Sequence, residues 1–222
     1  MNRVLFQRVV CAVDLSDQSA PVLRRALALV QLHGGELFVV HVTHERLEST
    51  ESAKRSVTGA FFAMRRLADA EPYHTVPVRW IMAYGSPAIE LARFIRRTNA
   101  DLAVVGGAVP RLSTGVVGTV AHAILRTTGS PVLVISRTPD NDASPKPYRE
   151  ILCGVSSGLS TSTLRYALSF AQEYESRLTI LNVEQRNEAN AAEDGGITSD
   201  VDGLRAAIPD HARAWSVIDQ RL

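Results

Sequence analysis

The stretch VVCAVDLSDQSAPVLRRALALVQLHGGELFVVHV, residues 9–42, decides the fold class. It begins and ends with apolar runs, residues 9–13 and 36–42, which lack the polar alternation of a half-exposed strand. Such runs are typical of parallel strands that are buried on both faces. Between them, Ser16 and Ser19 favour a helix start, and Gly34-Gly35 ends the helical pattern. The stretch therefore predicts a strand–helix–strand unit.

The same alternation continues along the chain. We predict helices over residues 51–70, 86–98 and 118–127, and strands over residues 76–85, 101–107 and 131–136. Ser86-Pro87 is a strong helix start, with Ser86 as the cap. Right-handed crossovers between parallel strands give an α/β fold with an open, doubly wound, five-stranded parallel sheet. In such sheets ligands bind at the carboxyl ends of the strands, where the strand order reverses.

Composition and charge exclude several classes of partner. The chain has 222 residues, 45% of them hydrophobic, and a net charge of +1, so bulk electrostatics do not attract nucleic acid or an anionic membrane. No apolar run approaches the roughly 20 residues of a membrane span, and no signal-peptide pattern opens the chain. The two cysteines, Cys11 and Cys153, lie in apolar runs, as is typical of reduced thiols. We predict a cytoplasmic protein without disulfides.

The opening unit occurs a second time. Residues 151–183 align with residues 9–42, so that Cys153 corresponds to Cys11 and Ser156 takes the place of Asp14. A segment rich in proline and polar residues, 138–148, separates the two copies and has the composition of a linker. The predicted domains are residues 1–137, a complete domain, and residues 149–222, a partial second copy that lacks the later strands.

These motifs resemble the universal stress protein family, in a tandem form with a truncated second domain. Three stretches and their order along the chain carry the resemblance. They are the opening unit, YGSPAIELARFIRRTNADLAVVGG (residues 84–107) and GTVAHAILRTTGSPVLVIS (residues 118–136). The resemblance implies a Rossmann-like sheet of the adenine nucleotide alpha hydrolase-like type and a cytoplasmic stress-response protein. It also implies a dimer and, in many members, ATP binding.

The resemblance further implies where ATP would bind, together with Mg²⁺ or Mn²⁺. In ATP-binding members, an aspartate ends the first strand, the end of the second strand touches adenine, and a glycine motif after the fourth strand wraps the phosphates. The matching nucleotide-binding candidates in this sequence are Ala12, Asp14, Val42, Gly106, Gly118, Thr119 and Val120.

The glycine motif departs from the family pattern. Its middle glycine is replaced by Ala108 or Val109, Pro110 follows, and the spacing from Gly106 to Gly118 is one residue short. Proline has no N–H, and a residue with a Cβ resists the positive φ that glycine adopts, so phosphate donors are lost. Three hypotheses stay open: a stress-response module that binds ATP, an interaction module of the same fold without nucleotide, and an enzyme of the adenine-nucleotide α/β group.

Catalysis and metal binding have little support in the sequence. No nucleophile–base order or P-loop lysine is present, so we predict no catalytic residues and, at most, weak ATP hydrolysis. His41 and His44 fall on opposite sides of an extended strand, so we predict no metal site. Asp14 also has a simpler interpretation, as a cap for backbone N–H groups at the following helix.

The partner prediction concerns the fifth strand, which begins at Pro131 and ends at Ile135. In complete tandem members of the family, the two copies pack together partly through their fifth strands. The partial second copy in this sequence has no fifth strand. We therefore expect either a homodimer through residues 131–135 or packing of the second repeat against the first copy. In the second repeat, residues 151–183 are expected to be packed in this way or loosely ordered.

Overall fold

The structure is a computed structural model that describes residues 4–43, 51–70, 72–107, 119–136, 148–156, 161–184 and 215–221. The chain divides into two compact units. The larger unit comprises Leu5–Pro145, and the smaller comprises Met1–Val4 together with Lys146–Leu222. The predicted linker, residues 138–148, lies outside the described residues except for Tyr148, and the domain boundaries given above stay predictions.

The larger unit alternates strands and helices throughout. Its elements, in chain order, are β1 (Arg8–Ala12), α1 (Ser19–His33), β2 (Glu36–Thr43), α2 (Glu51–Asp69), β3 (Val78–Tyr84), α3 (Pro87–Thr98), β4 (Leu102–Gly106), α4 (Thr119–Thr127) and β5 (Val132–Ile135). Each predicted strand and helix of this unit is confirmed, with ends that shift by a few residues.

The strands form one five-stranded sheet in the order β3-β2-β1-β4-β5, and every pair is parallel. Strand β1 is central, because Cys11 pairs with Val39 of β2 on one side and with Val104 of β4 on the other. The chain adds strands outward from β1 to β3, and then returns to add β4 and β5 on the opposite side. The predicted doubly wound sheet is confirmed, and its order reverses between β1 and β4.

Helices cover both faces of the sheet, which explains why the strands lack polar alternation. Helices α3 and α4 contact each other on one face, and α1 and α2 contact each other. The core beneath α3 and α4 is made by Val10, Phe38, Val40, Leu91, Ile95, Ala100, Ala103, Val105, Ala121 and Ile124. Successive strand residues alternate in direction, so Val9, Cys11 and Val39 point to the opposite face, where α1 contacts β1, β2 and β4.

Both cysteines are free and buried, as predicted. Burial raises the pKa of the Cys11 thiol to about 12, because the thiolate would have to leave water. Burial also raises the pKa of Cys153. These thiols therefore behave as small apolar core groups rather than as nucleophiles.

Within the described ranges, no helix is both long enough and apolar enough to cross a membrane. The longest of them, α2 (Glu51–Asp69), carries charged residues along its length.

Helix α3 begins at Ser86-Pro87, as predicted, but not by the predicted contact. Ser86 has the extended backbone of a helix cap and Pro87 is the first helical residue, yet the Ser86 side chain makes no capping hydrogen bond. The prediction of Ser86 as the cap is thus confirmed for its position and backbone, whereas the hydrogen bond that a capping hydroxyl accepts is missing. Pro87 presets the helical φ and removes one N–H that would need a partner, so the helix starts without a hydroxyl acceptor.

The smaller unit contains β6 (Glu150–Ser156), α5 (Thr161–Glu173), β7 (Arg177–Glu184) and β8 (Trp215–Arg221). Its three strands are parallel and lie in the order β6-β7-β8. Helix α5 supplies Leu164 and Leu168 to a small core that also contains Cys153, Leu178 and Ile180. On β6, Leu152 points away from this core and is 67% exposed.

Two adjacent glycines end α1 for different reasons. Gly34 adopts the left-handed conformation (φ 66°) of a helix C-cap, and its N–H donates to the Val30 carbonyl. Gly35 is needed for space: a Cβ there would lie 2.6 Å from the carbonyl oxygens of both Phe6 and Gln7. Because Gly35 has no Cβ, the start of β1 can lie directly beside the turn into β2, where the Glu36 N–H donates to the Gln7 carbonyl.

We predict that Gly35→Ala destabilises the protein more than Gly34→Ala. The Gly35 methyl group would collide with rigid backbone, so a cost of about 2 kcal/mol is expected, from the range for overpacked sites. Gly34 has no neighbour within 4 Å of the added Cβ, so its cost is the left-handed backbone alone, about 1 kcal/mol. Urea unfolding of the two variants measures the difference. An equal cost would contradict the close backbone approach at Gly35.

Candidate functional site

A cavity of about 470 Å³ lies at the carboxyl ends of β1, β2 and β4, where the strand order reverses. This is the edge at which open α/β sheets bind ligands. Its volume is in the range of small-molecule sites. The cavity is lined by Ala12, Val13, Asp14, Ser16, Asp17, Gln18, Ser19, Val22, Val40, Val42, Pro87, Leu91, Val105, Gly106, Gly107, Thr119, Val120 and Ala121.

One wall of the cavity is apolar. The β2 residues Val40 and Val42 lie on the same face of the sheet, two positions apart, and Leu91 of α3 and Val105 of β4 line the cavity with them. These are branched aliphatic side chains, and no aromatic ring is among the described lining residues. Such a wall suits a flat, weakly polar group that is held by van der Waals contact rather than by stacking.

The ends of three helices supply polar groups. The loop before α1 contributes Ser16 and Gln18, α3 contributes Pro87, and α4 contributes its first residue, Thr119. The first N–H groups of a helix have no partner within the helix, and the helix carries a partial positive charge at that end. Pro87 of α3 and Pro21 of α1 have no N–H, so each of these two helices lacks one donor in its first turn.

Asp14 is bound by the turn that follows it. Its Oδ1 accepts hydrogen bonds from the Ser16 N–H (3.0 Å), the Ser16 Oγ (2.6 Å) and the Ser19 Oγ (2.9 Å). Partial burial opposes ionisation of the carboxyl group, but these hydrogen bonds outweigh burial, and the pKa of Asp14 is lowered below its ordinary value of 3.8. Asp14 is thus a fixed carboxylate. The interpretation of Asp14 as a cap for the following helix is wrong, because its partners are the N–H of Ser16, which precedes α1, and two hydroxyl groups, while the cap position of α1 is Gln18.

The backbone of this turn is strained. Leu15, between Asp14 and Ser16, has a φ of 63°, in the left-handed region that residues with a Cβ rarely adopt. This conformation costs about 1–2 kcal/mol. The turn keeps it because Asp14 bonds both Ser16 and Ser19, and Ser19 itself is buried. The hydrogen bonds that offset this strain hold the carboxylate at the rim of the cavity.

The two glycines after β4 differ in what they offer a ligand. Gly107 donates its N–H to the Ile135 carbonyl (2.8 Å), so this donor belongs to the sheet. Gly106 lines the cavity, and among the described residues a Cβ built there would meet only the Val22 Cγ2, at an ordinary distance of 3.6 Å. Packing against the described residues therefore does not require a glycine at Gly106.

A family model described as the Universal stress protein family matches residues 5–136 of the chain. The chain belongs to the universal stress protein family. The matched residues coincide with the larger unit, which contains the cavity.

Individual relatives agree with this assignment. The universal stress protein YxiE of Bacillus subtilis is 25% identical over 151 residues, and the alignment covers 59% of this chain and 99% of YxiE. A crystal structure of a universal stress protein from Archaeoglobus fulgidus covers 97% of this chain and 78% of its own length, with a TM-score of 0.68 and 17% identity. This likeness shows the fold. A universal stress protein solved in complex with cAMP covers 60% of this chain and 98% of its own, with a TM-score of 0.49 and 20% identity.

The candidates predicted from the sequence come together in this universal stress protein cavity, as far as they are described. The described candidates that line it are Ala12, Asp14, Val42, Gly106, Thr119 and Val120. Gly118 lies outside the described residues. What each of these residues does toward a nucleotide stays a prediction.

Other lining residues were not foreseen from the sequence. Ser16 and Ser19 were identified only as helix-start residues, although hydroxyls two and five positions after an aspartate are the expected partners in such a turn. Leu91 and Val105 carry no local signal, because they resemble any other apolar residue of a helix or strand. Only the packing of α3 against β4 brings them to the cavity.

His41 lies on the far side of the sheet from the cavity. It stands between Val40 and Val42 on β2, and its Nδ1 donates to the Val13 carbonyl at 2.9 Å. His44 lies outside the described residues. Among the residues that the structure describes, no group of three or more His, Cys, Asp or Glu side chains is placed to hold a metal ion.

We predict that Ser19→Ala raises the pKa of Asp14 and lowers stability in a pH-dependent way. A lowered pKa stabilises the fold above the unfolded value of 3.8, and this stabilisation is lost as the pH falls through the folded value. The variant loses one hydrogen bond to an exposed carboxylate, so a cost of about 1 kcal/mol is expected at neutral pH, with a smaller gap below pH about 4.

Carboxyl ¹³C titration and unfolding at several pH values measure the two effects. Ser86→Ala is the matched control, since the Ser86 hydroxyl makes no capping bond, and it should leave both quantities unchanged. A Ser19→Ala protein in which the pKa of Asp14 does not move would show that the hydrogen bonds of the turn do not set the charge of this carboxyl group.

Proposed function

We propose that the larger unit of this universal stress protein binds an adenine nucleotide in the cavity between β1 and β4, and acts as a regulatory module rather than as an enzyme. The supporting observation is that one cavity, at the reversal of strand order, combines an apolar wall, a fixed carboxylate and the first turn of α4. These parts match the three parts of a nucleotide: base, sugar and phosphate.

The base would lie against the apolar wall. Val40, Val42 and Leu91 present aliphatic surface that excludes water from one face of a ring. Burial of an apolar face supplies affinity in proportion to its area, about 25 cal/mol per Å². Because no aromatic ring is among the described lining residues, this contribution comes from packing and not from stacking.

The sugar would bond to Asp14. Its Oδ1 already accepts three hydrogen bonds from Ser16 and Ser19, whereas no described residue donates to Oδ2. Oδ2 is therefore the acceptor for a ligand hydroxyl. A hydrogen bond between an ionised acceptor and a hydroxyl is among the stronger kinds in proteins, which makes Asp14 the polar anchor of the site.

The phosphate would lie at the start of α4, next to Gly106. Helix N-termini bind anions through free N–H groups and the helix dipole, and the Thr119 hydroxyl adds a donor. Gly106 leaves room for close approach to the backbone, which packing inside the protein does not demand. A divalent cation such as Mg²⁺ or Mn²⁺ would be coordinated mainly by phosphate oxygens, as is usual for nucleotide complexes.

A regulatory role follows from what the described cavity supplies. Its polar groups bind and orient, but its described lining includes no histidine, lysine or arginine that could act as a base or stabilise a leaving phosphate. The alternative function is an interaction module of the same fold that holds no nucleotide. The departures at Val109 and Pro110 favour this alternative, because they remove donors from the family's phosphate motif.

We predict that Gly106→Ala weakens adenine nucleotide binding about tenfold without loss of stability. The added methyl group meets only Val22 among the described residues, but it occupies the space where a phosphate would approach the backbone. Loss of one hydrogen bond, about 1.4 kcal/mol, corresponds to tenfold in affinity. Equilibrium dialysis with radiolabelled adenine nucleotides gives the affinities, and urea unfolding gives the stabilities.

Gly154→Ala is the matched control for this experiment. Gly154 is also a strand glycine, on β6, and a Cβ there has no neighbour within 4 Å. It should bind nucleotide as the unaltered protein does. Unchanged affinity in Gly106→Ala would remove this cavity from consideration, and absence of any adenine nucleotide binding by the unaltered protein would favour the interaction module.

We propose further that the chain forms a homodimer through β5. In the described sheet β5 pairs with β4 on one side only, and all four of its residues, from Val132 to Ile135, are partly exposed. An open parallel edge with apolar side chains is a template for pairing with another chain. The alternative prediction is that the second repeat, rather than a second chain, packs against the first copy.

Sedimentation equilibrium tests the dimer directly. The expected mass is that of two chains, and it should fall to that of one chain when charge is placed on the edge by Leu133→Lys. A monomer at high protein concentration would rule the dimer out.

A further inference from the structure

One face of strand β6 places a large apolar side chain next to an open space. Leu152 is 67% exposed, and Gly154 lies two residues further along the same face of the strand. No described atom lies within 4 Å of the position that a Cβ of Gly154 would take. Cys153 and Val155 point to the opposite face and pack in the core under α5. A glycine inside a strand often marks a place where another segment approaches closely.

The larger unit shows what covers the corresponding surface of its own first strand. In the alignment of the two copies, Leu152 corresponds to Val10, and Gly154 corresponds to Ala12. Val10 is 1% exposed, because β4 pairs with that edge of β1, where Val10 faces Ala103, and α3 and α4 cover the same face. Among the residues that the structure describes, β6 pairs with β7 alone. The other edge of β6 is therefore the place where a further strand would pair.

A second copy of β6 has the shape that this edge requires. An open strand edge is a template for pairing with another strand. When two copies of β6 pair antiparallel about a two-fold axis at Cys153, Leu152 lies opposite Gly154 of the partner subunit and fills the space that this glycine leaves. The axis makes the same contact occur twice. Glu150 then lies opposite Ser156 of the partner subunit, so within the strand no like charges face each other.

We infer that β6 forms a second self-pairing contact in the homodimer, antiparallel, with Leu152 of each copy packed over Gly154 of the partner subunit. The inference rests on the proposed dimer through β5 and names a further surface of that dimer. It gives the smaller unit a role in association, because the side chain that its own described residues leave exposed becomes covered by the second copy.

The β6 contact depends on the β5 contact. Two paired strands of seven residues bury less than the roughly 1,000 Å² that a stable interface needs, so the β6 contact alone does not hold two chains together. The predicted linker, residues 138–148, joins the two units of each chain. Once β5 holds two copies, this connection keeps their β6 strands at an effective concentration on the order of millimolar. Loss of the β5 contact therefore separates both pairs of strands.

Exchanging the two residues tests the contact and its register. Leu152→Gly removes the side chain and Gly154→Leu fills the space, so each variant should raise the dissociation constant of the dimer about tenfold. The double variant Leu152→Gly with Gly154→Leu again places a leucine opposite a glycine. Its dissociation constant should return to within about threefold of the unaltered value, whereas independent effects would add. Sedimentation equilibrium of the full chain over a dilution series measures all four constants.

Two further variants support this comparison. Gly59→Leu is the matched control, because Gly59 is an exposed glycine on α2 with no described atom within 4 Å of an added Cβ. It should leave the dissociation constant unchanged. Leu152→Lys is a second probe, since lysine is compatible with an exposed strand edge and does not depend on the folding of a strand that carries an extra glycine. It should also weaken the dimer about tenfold.

The outcomes separate the inference from the proposed dimer. A dimer whose dissociation constant is the same in Leu152→Lys and in both single exchange variants would overturn the inference and leave the β5 contact in place. A double variant that loses as much affinity as the two single variants together would also overturn it, because residues 152 and 154 would then not face each other. If the unaltered chain is a monomer at high concentration, the proposed dimer fails, and the inference fails with it.

Discussion

The central position of β1 is the constraint on which the rest of the structure depends. Because β1 pairs in parallel with both β2 and β4, the chain must build the sheet outward in two directions from one strand. The helices that follow β1 and β4 therefore lie on opposite faces, and their first turns separate above the strand ends. The gap between them is the cavity. No individual side chain creates it, since it follows from the strand order and from right-handed crossovers.

Once this gap exists, its chemistry depends on the turn after β1. The left-handed backbone of Leu15 and the hydrogen bonds from Ser16 and Ser19 fix the Asp14 carboxylate at the rim. One carboxylate oxygen of Asp14 is used within the turn, and no described residue donates to the other. This arrangement is the basis for the proposal that Asp14 bonds a ligand hydroxyl group.

The smaller unit contains, in its described residues, a strand–helix–strand unit and a third parallel strand. It has parallel strands and a small core under α5. Leu152 of β6 is exposed, whereas Val10 of β1 is buried under α3 and α4 in the larger unit. Ser156 stands where the repeat alignment expects the counterpart of Asp14, so the carboxylate anchor is not repeated. The described nucleotide candidates accordingly belong to the larger unit alone.

Local patterns in the sequence were enough to predict the strands, the helices and the sheet of the larger unit. The reason is that apolar runs, helix starts and the glycines that end helices act over only a few residues. They also pointed to Asp14, Val42 and Gly106, since these residues end strands whose carboxyl ends share one edge. The missing hydrogen bond of the Ser86 side chain was not predictable, because Ser-Pro at a helix start is equally compatible with a bonded and an unbonded hydroxyl. Leu91 and Val105 could not be assigned to the cavity either, as nothing in their local sequence distinguishes a wall residue from a core residue.

The sequence by itself determined the family, the order of strands and helices, and the residues at the strand ends. The tertiary structure alone decided which groups remain available to a ligand. The N–H of Gly107 donates to the Ile135 carbonyl, and the methyl groups and backbone that line the cavity come from β1, β2, β4 and three helices. The physical reason is that a hydrogen-bond donor is used by whichever partner the fold brings within about 3 Å, and for Gly107 that distance depends on the pairing of β4 with β5. The partners of Asp14, in contrast, are local, since Ser16 and Ser19 follow it within five residues.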